Sequence, residues 1–368
     1  MMAPQGLLVA ERVGFVSADA GAVRTGTPSK ARLHWMDMLR GSAIVLVMIW
    51  HSSAIPVLYG ASMPAPVRAV NMFFLPFRMP TLMFLSGLLL PASLRKPLPV
   101  YYAGKFAAIG WPYLIFVLLD RLLQGNDNPW WHWRAYYATS YLWFLFFIGV
   151  YYVLAPLLRR LPPWAPIVAA AVIGLVLESG VEERLAYFAI FFFLGRWAAL
   201  RGDVFERLTR TRALVLLALP SAAFGLASAY WGLALAYKVW LAPLSLAGIL
   251  VLVGIAQRIE RRGRQLPWLT KVGRNSIVYY VAHFPVMVLT MHALYAFDVR
   301  SQVVVALVDL AVAGLVCTVL VLLRPYRPVT WLFEAPAVLT AWVRRRYVPA
   351  TEPSGSVRQA VPAPPAVH

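Results

Sequence analysis

The sequence predicts an all-α, polytopic membrane protein of about ten transmembrane helices with both termini in the cytoplasm. Three observations carry this. Of 368 residues, 61% are hydrophobic and only 13% charged, against about 25% charged in soluble domains. The mean hydropathy is +0.67. The 34 Lys and Arg residues, which give a formal charge of +19, fall in short groups between apolar runs, the distribution that orients membrane helices. A nucleic-acid binder concentrates its basic residues on one soluble face, so no nucleic-acid partner is expected.

Ten stretches are long enough to span, at approximately 40–58, 70–92, 104–123, 141–158, 164–179, 185–201, 213–229, 236–256, 275–296 and 302–323. The fifth is short enough to tilt or re-enter. Basic groups at 24–32, 95–96, 159–160, 207–212, 258–274 and 324–346 alternate with nearly neutral or acidic connections. The positive-inside rule assigns the basic set to the cytoplasm and the protein to the inner (cytoplasmic) membrane. Residues 1–32 hold Glu11, Arg12, Asp19 and Arg24 without an adequate apolar core, so they read as a disordered cytoplasmic tail rather than a cleavable signal peptide. Residues 33–325 form the membrane domain. Residues 326–347, with Trp331, Trp342 and a terminal run of Arg, suit the inner-leaflet surface. Residues 348–368 are rich in Pro and Ala and read as a disordered tail.

The first span opens with Asp37 and Arg40 and carries His51. Eleven residues are close to three helical turns, so Arg40 and His51 share a face about 16 Å apart. Asp37 lies on nearly the same face and is positioned to orient Arg40. With Arg40 at the interface, His51 reaches mid-membrane, where an ionisable side chain is costly and points to function. Histidine is suited to general-base work on a hydroxyl, or to carrying the acyl group transiently itself. The alternative for such a histidine is a helix–helix hydrogen bond.

The second span holds Arg78 between Pro76 and Pro80. Both prolines free a backbone carbonyl, so a kink is expected there. A buried Arg needs an anionic partner or carbonyl acceptors; it serves either a structural ion pair or a developing oxyanion. Ser86-Gly87 reads as close packing more than as a nucleophile, since no Gly-x-Ser-x-Gly elbow surrounds it. In the ninth span Asn275 and Ser276 are placed to cap the helix, and His283 lies about 12 Å deeper, as a second site group or a packing residue. Trp143 and Arg196 sit where interfacial anchors occur, and Lys238 reads as snorkelling. No zinc-type ligand spacing, P-loop or dinucleotide fingerprint is present; neither a metal nor a bound cofactor is expected.

Taken together, Asp37-x-x-Arg40-Gly with His51, Phe77-Arg78-Met-Pro80, Phe84-Leu-Ser86-Gly87, Leu142-Trp143-Phe144-Leu145, Phe193-Leu-Gly195, Gly273-x-Asn275-Ser276 and Tyr280-x-x-His283-x-Pro285 resemble the integral-membrane acyltransferase family 3. Those are O-acyltransferases acting on glycans and some small molecules. The resemblance covers residues 33–325. It implies an acyl-CoA co-substrate, commonly acetyl-CoA, drawn from the cytoplasm, and a hydroxyl acceptor on a glycan or small molecule. It makes His51 the catalytic histidine and Arg40 a donor-site residue. Arg78 and Asp37 complete the catalytic set, with Ser86, Trp143, Asn275, Ser276, Tyr280 and His283 as substrate-binding candidates. Many members carry a second Arg where this chain has Thr81, which argues against a two-arginine clamp. Some carry a fused extracytoplasmic hydrolase-like domain, whereas this chain ends soon after the tenth span. Two other classes use buried His and Arg: a secondary transporter or flippase, and a transmembrane acyl carrier feeding a separate transferase.

Overall fold

In a computed structural model the described residues are 33–125, 128–177, 180–264 and 266–347. The tails predicted for 1–32 and 348–368 fall outside them, and the first described residue, Leu33, is the N-cap of the first helix. The described residues form helices joined by turns and loops, and each of the ten apolar stretches overlaps one.

Helix α1 spans His34–Leu58, α2 Ala65–Leu88, and α3 Leu98–Gln124. Two shorter apolar helices follow, α4 (Trp143–Leu154) and α5 (Ala165–Val176). Then come α6 (Val181–Leu200), α7 (Gly202–Leu208), α8 (Thr211–Trp231) and α9 (Ala242–Arg261). The last are α10 (Pro267–Arg274), α11 (Ser276–Ala296), α12 (Gln302–Leu322), α13 (Arg327–Phe333) and α14 (Ala337–Tyr347). Seven are long and apolar enough to cross a bilayer. An eighth such span needs α6 and α7 taken together, although the chain turns by 108° between them. At 12 residues each, α4 and α5 rise about 18 Å, short of the roughly 30 Å hydrocarbon.

Two glycine-paired crossings set the frame. Where α1 meets α10, a Cβ on Gly41 would overlap the carbonyl oxygen of Leu269, and one on Gly273 that of Asp37. Where α2 meets α6, Gly87 faces the carbonyl of Phe192 and Gly195 that of Phe84 in the same reciprocal way. Such small residues let membrane helices approach backbone to backbone. The Ser86-Gly87 and Phe193-Leu-Gly195 motifs are therefore two halves of one contact. Between them, α6 threads the centre of the protein, with Tyr187, Phe188, Phe191 and Phe192 fully buried.

One local expectation changes, at Asn275, and two neighbouring segments acquire specific contacts. The helix α2 continues through Pro76 and Pro80, and the Thr81 hydroxyl donates to the Phe77 carbonyl at 2.7 Å. Asn275 occupies the N-cap position of α11 but makes no side-chain cap bond; its amide donates to Lys271 O and its oxygen accepts from Arg324. The segment 326–347 folds back on α3: Phe333 is fully buried and stacks on Phe116. A π-turn at Phe106–Gly110 leaves the Ala107 carbonyl to accept the Ala335 N–H at 3.2 Å. Elsewhere, Lys238 pairs with Glu183 at 3.2 Å, and buried Arg196 donates to the carbonyls of Leu158 and Arg159.

The stripe Val305–Asp309–Ala313–Cys317 is the buried face of α12. It packs where α12 meets α1 and α11. Cys317 is completely buried, and so is Asp309, whose two carboxylate oxygens have no hydrogen-bond partner.

Candidate active site

A contact between two histidines joins α1 to α11. His51 Nδ1 lies 2.9 Å from His283 Nε2, and His283 Nδ1 lies 2.8 Å from the Tyr279 carbonyl oxygen. A carbonyl only accepts, so His283 carries its proton on Nδ1. With both rings neutral, His283 Nε2 then holds a lone pair and His51 donates to it through Nδ1. That leaves the lone pair of His51 on Nε2, turned away from the partner ring. His283 is completely buried, whereas His51 retains partial accessibility. Phe284 packs edge-on to His51, and Tyr141 stacks on Phe284 at 4.3 Å while donating to the Val281 carbonyl. The dyad is thus held rigidly on its α11 side.

Arg78 comes from α2 and is buried. Its guanidinium lies over the ring of Trp50, the residue before His51, at 5.2 Å. Nε and Nη1 have no hydrogen-bond partner, so the expected anionic partner or carbonyl set does not account for them. Two buried donors without acceptors are expensive. An arriving oxyanion would satisfy them.

At the basic end of the bundle, Asp37 is shared between two cations: Arg40 at 3.7 Å and Arg274 at 3.3 Å. Arg274 also reaches His34 at 3.1 Å. The arginine at position 40 further donates to the Leu85 carbonyl at 3.5 Å. From Arg40 a cleft of about 190 Å³ runs inward between α1, α2, α3, α4 and α11. Ser86, Ser276 and Tyr280 line it, with Ile44 and Leu82 deeper along their helices. Ser86 Oγ is committed to the Leu82 carbonyl at 2.8 Å, and the Tyr280 hydroxyl donates to the Tyr141 carbonyl. The cleft points at the dyad but stops short of it. Ile44 is seven residues from His51, about 10 Å by helix rise, and Leu82 is one turn from Arg78.

Of the residues singled out from the sequence, His51, His283 and Arg78 gather inside the bundle, while Arg40, Ser86, Ser276 and Tyr280 share the cleft. Asn275 stands beside it, bonded to Arg324. Trp143 lies elsewhere, beneath the Arg184 guanidinium at 4.5 Å and against Phe188. Sequence reasoning missed Arg274, which reads there only as one of the basic loop residues, and Tyr152, which lines the cleft under Lys105 at 3.5 Å. No sequence signal pairs either with its partner, because the contacts join distant segments.

Comparison with known families places this arrangement in context. The profile of an acyltransferase domain, that of acyltransferase family 3, matches residues 33–323. The chain belongs to acyltransferase family 3. No curated protein and no solved structure matches it. Within this family the chain is a multi-pass membrane acyltransferase.

Proposed function

We propose that the protein moves an acyl group, an acetyl group in the first instance, from cytoplasmic acyl-CoA to a hydroxyl of a glycan or small-molecule acceptor. The observation that carries this reading is the His51–His283 contact beside an unsatisfied Arg78. The basic set of connections faces the cytoplasm, so Arg40, Arg274 and Lys105 stand at the donor entrance and attract the CoA phosphates. The pantetheine arm follows the cleft, and side-chain movement at its floor opens the last turn or two to the dyad. His51 Nε2 takes the proton of the acceptor hydroxyl, whose oxygen attacks the thioester carbonyl. Negative charge on the tetrahedral oxygen falls to Arg78 Nε and Nη1. Collapse breaks the C–S bond, and the departing CoA thiolate takes the proton back from the His51 imidazolium. His283 is a positioning residue: it fixes the tautomer of His51. Asp37 holds the two entrance arginines in place.

The test is transfer from labelled acetyl-CoA in proteoliposomes. His51→Ala is expected to lower CoA release by about 10²–10⁴-fold, the range for loss of a general base. Unchanged release would remove the assignment. A transporter or flippase would move label across the bilayer without freeing CoA, and an acyl carrier would retain label on the protein.

A further inference from the structure

Away from the cleft, at the same basic end, α7, the start of α8 and the end of α9 enclose a basin of about 670 Å³. Five arginines line it, Arg207, Arg210, Arg212, Arg258 and Arg261, against the single carboxylate of Glu206. Arg258 braces the α7–α8 turn through Thr209 O, Gly254 O and Thr211 Oγ1. Arg210 approaches Glu206 at 4.0 Å, and Arg261 makes only a 3.5 Å bond to Gln257. This leaves net positive charge on Arg207, Arg212 and Arg261 facing one space. Thr211, Arg212 and Ala213 also line it, and their amides precede the first intrahelical bond of α8, Leu214 N–H to Arg210 O. A helix start of this kind favours an anion.

The basin does not end in water alone. Leu216 forms part of its wall, and Val215, Leu216 and Leu219 continue from it as an exposed apolar ridge along α8. Cations above and a bare apolar helix below match one chemistry, a phosphate headgroup with attached acyl chains. We infer that this basin binds an anionic phospholipid, with its phosphate among Arg207, Arg212, Arg261 and the α8 amides and its chains along Val215, Leu216 and Leu219. The size suits a headgroup, since small-molecule sites run from about 300 to 1,000 Å³.

The test uses the full chain in nonionic detergent, with added phosphatidylglycerol, phosphatidylcholine and free CoA, and native mass spectrometry as readout. Phosphatidylglycerol adducts are expected to survive activation that strips phosphatidylcholine. Each arginine near an anionic lipid contributes about fivefold, so the R207Q/R212Q/R261Q variant should bind roughly a hundredfold more weakly. Lysines at the same three positions should retain most of the binding, which separates charge from folding. If the glutamine variant does not fold, Arg212→Gln alone carries the test with about a fivefold loss. Equal retention by wild type and variant overturns the proposal, as does displacement of the lipid by CoA. None of these readouts passes through acyl transfer, so the outcome is independent of the role given to His51.

Discussion

His283 is completely buried, and its two nitrogens are both engaged, one by its own helix and one by His51. Replacing it with Gln removes an acceptor fixed in place by Tyr279. During proton transfer the bond to His51 would be one to a charged ring, worth about 1.5–3 kcal/mol. His283→Gln should therefore lower kcat roughly ten- to a hundredfold with little change in donor KM; a pure KM effect would make it a binding residue. Arg78→Lys should also reduce kcat, because a single ammonium cannot present two in-plane donors. Asp309 calls for the opposite expectation. A buried carboxyl with no partner costs about 1–3 kcal/mol, so Asp309→Leu should leave thermal stability in detergent unchanged or raise it. A marked fall would reveal a partner for that carboxyl. At this scale the comparable level of His51 and His283 along their helices was legible from helix rise, whereas their mutual bond was not. It joins positions 232 residues apart and depends on ring rotations that only packing decides.

The helices were easier to read than the contacts between them. Hydropathy locates each apolar stretch but not its ends: the first apolar run covers 40–58, yet α1 begins at His34. Hydropathy marks what suits hydrocarbon, while hydrogen bonding lets the helix continue into the interface. The prolines of α2 each remove a backbone donor without ending the helix, which continues through both. Ser86-Gly87 was legible as close packing, but the backbone it met was not, nor was the matching role of Gly41, Gly195 and Gly273. That pairing yields a sharp prediction. Gly41→Ala, Gly87→Ala, Gly195→Ala and Gly273→Ala each force a Cβ into a carbonyl of the facing helix. Each should destabilise by about 1–3 kcal/mol or more, read as a lower midpoint in detergent. Gly314→Ala, with open space around its Cβ, should instead stabilise α12 by up to about 1 kcal/mol.

Across the whole molecule, charge and chemistry are arranged along one axis. Asp37, Arg40 and Arg274 mark one end, and the dyad lies deep between helices that come from opposite halves of the chain. The cleft and the arginine basin open at the same end from different helices, so the donor entrance and the inferred lipid site can be altered separately. The class and the alternation of charge were plain in the composition; the number of full crossings was not, because α4 and α5 are too short for length alone to decide. Orientation can be measured directly. Cys317 is the single thiol of the chain and is sealed inside the bundle, so the natural protein is already silent towards a maleimide that cannot cross membranes. Ser62→Cys and Trp131→Cys should react when that reagent is added outside intact cells, and Arg160→Cys and Arg262→Cys only after the cells are opened. The reverse pattern would turn the protein over in its bilayer.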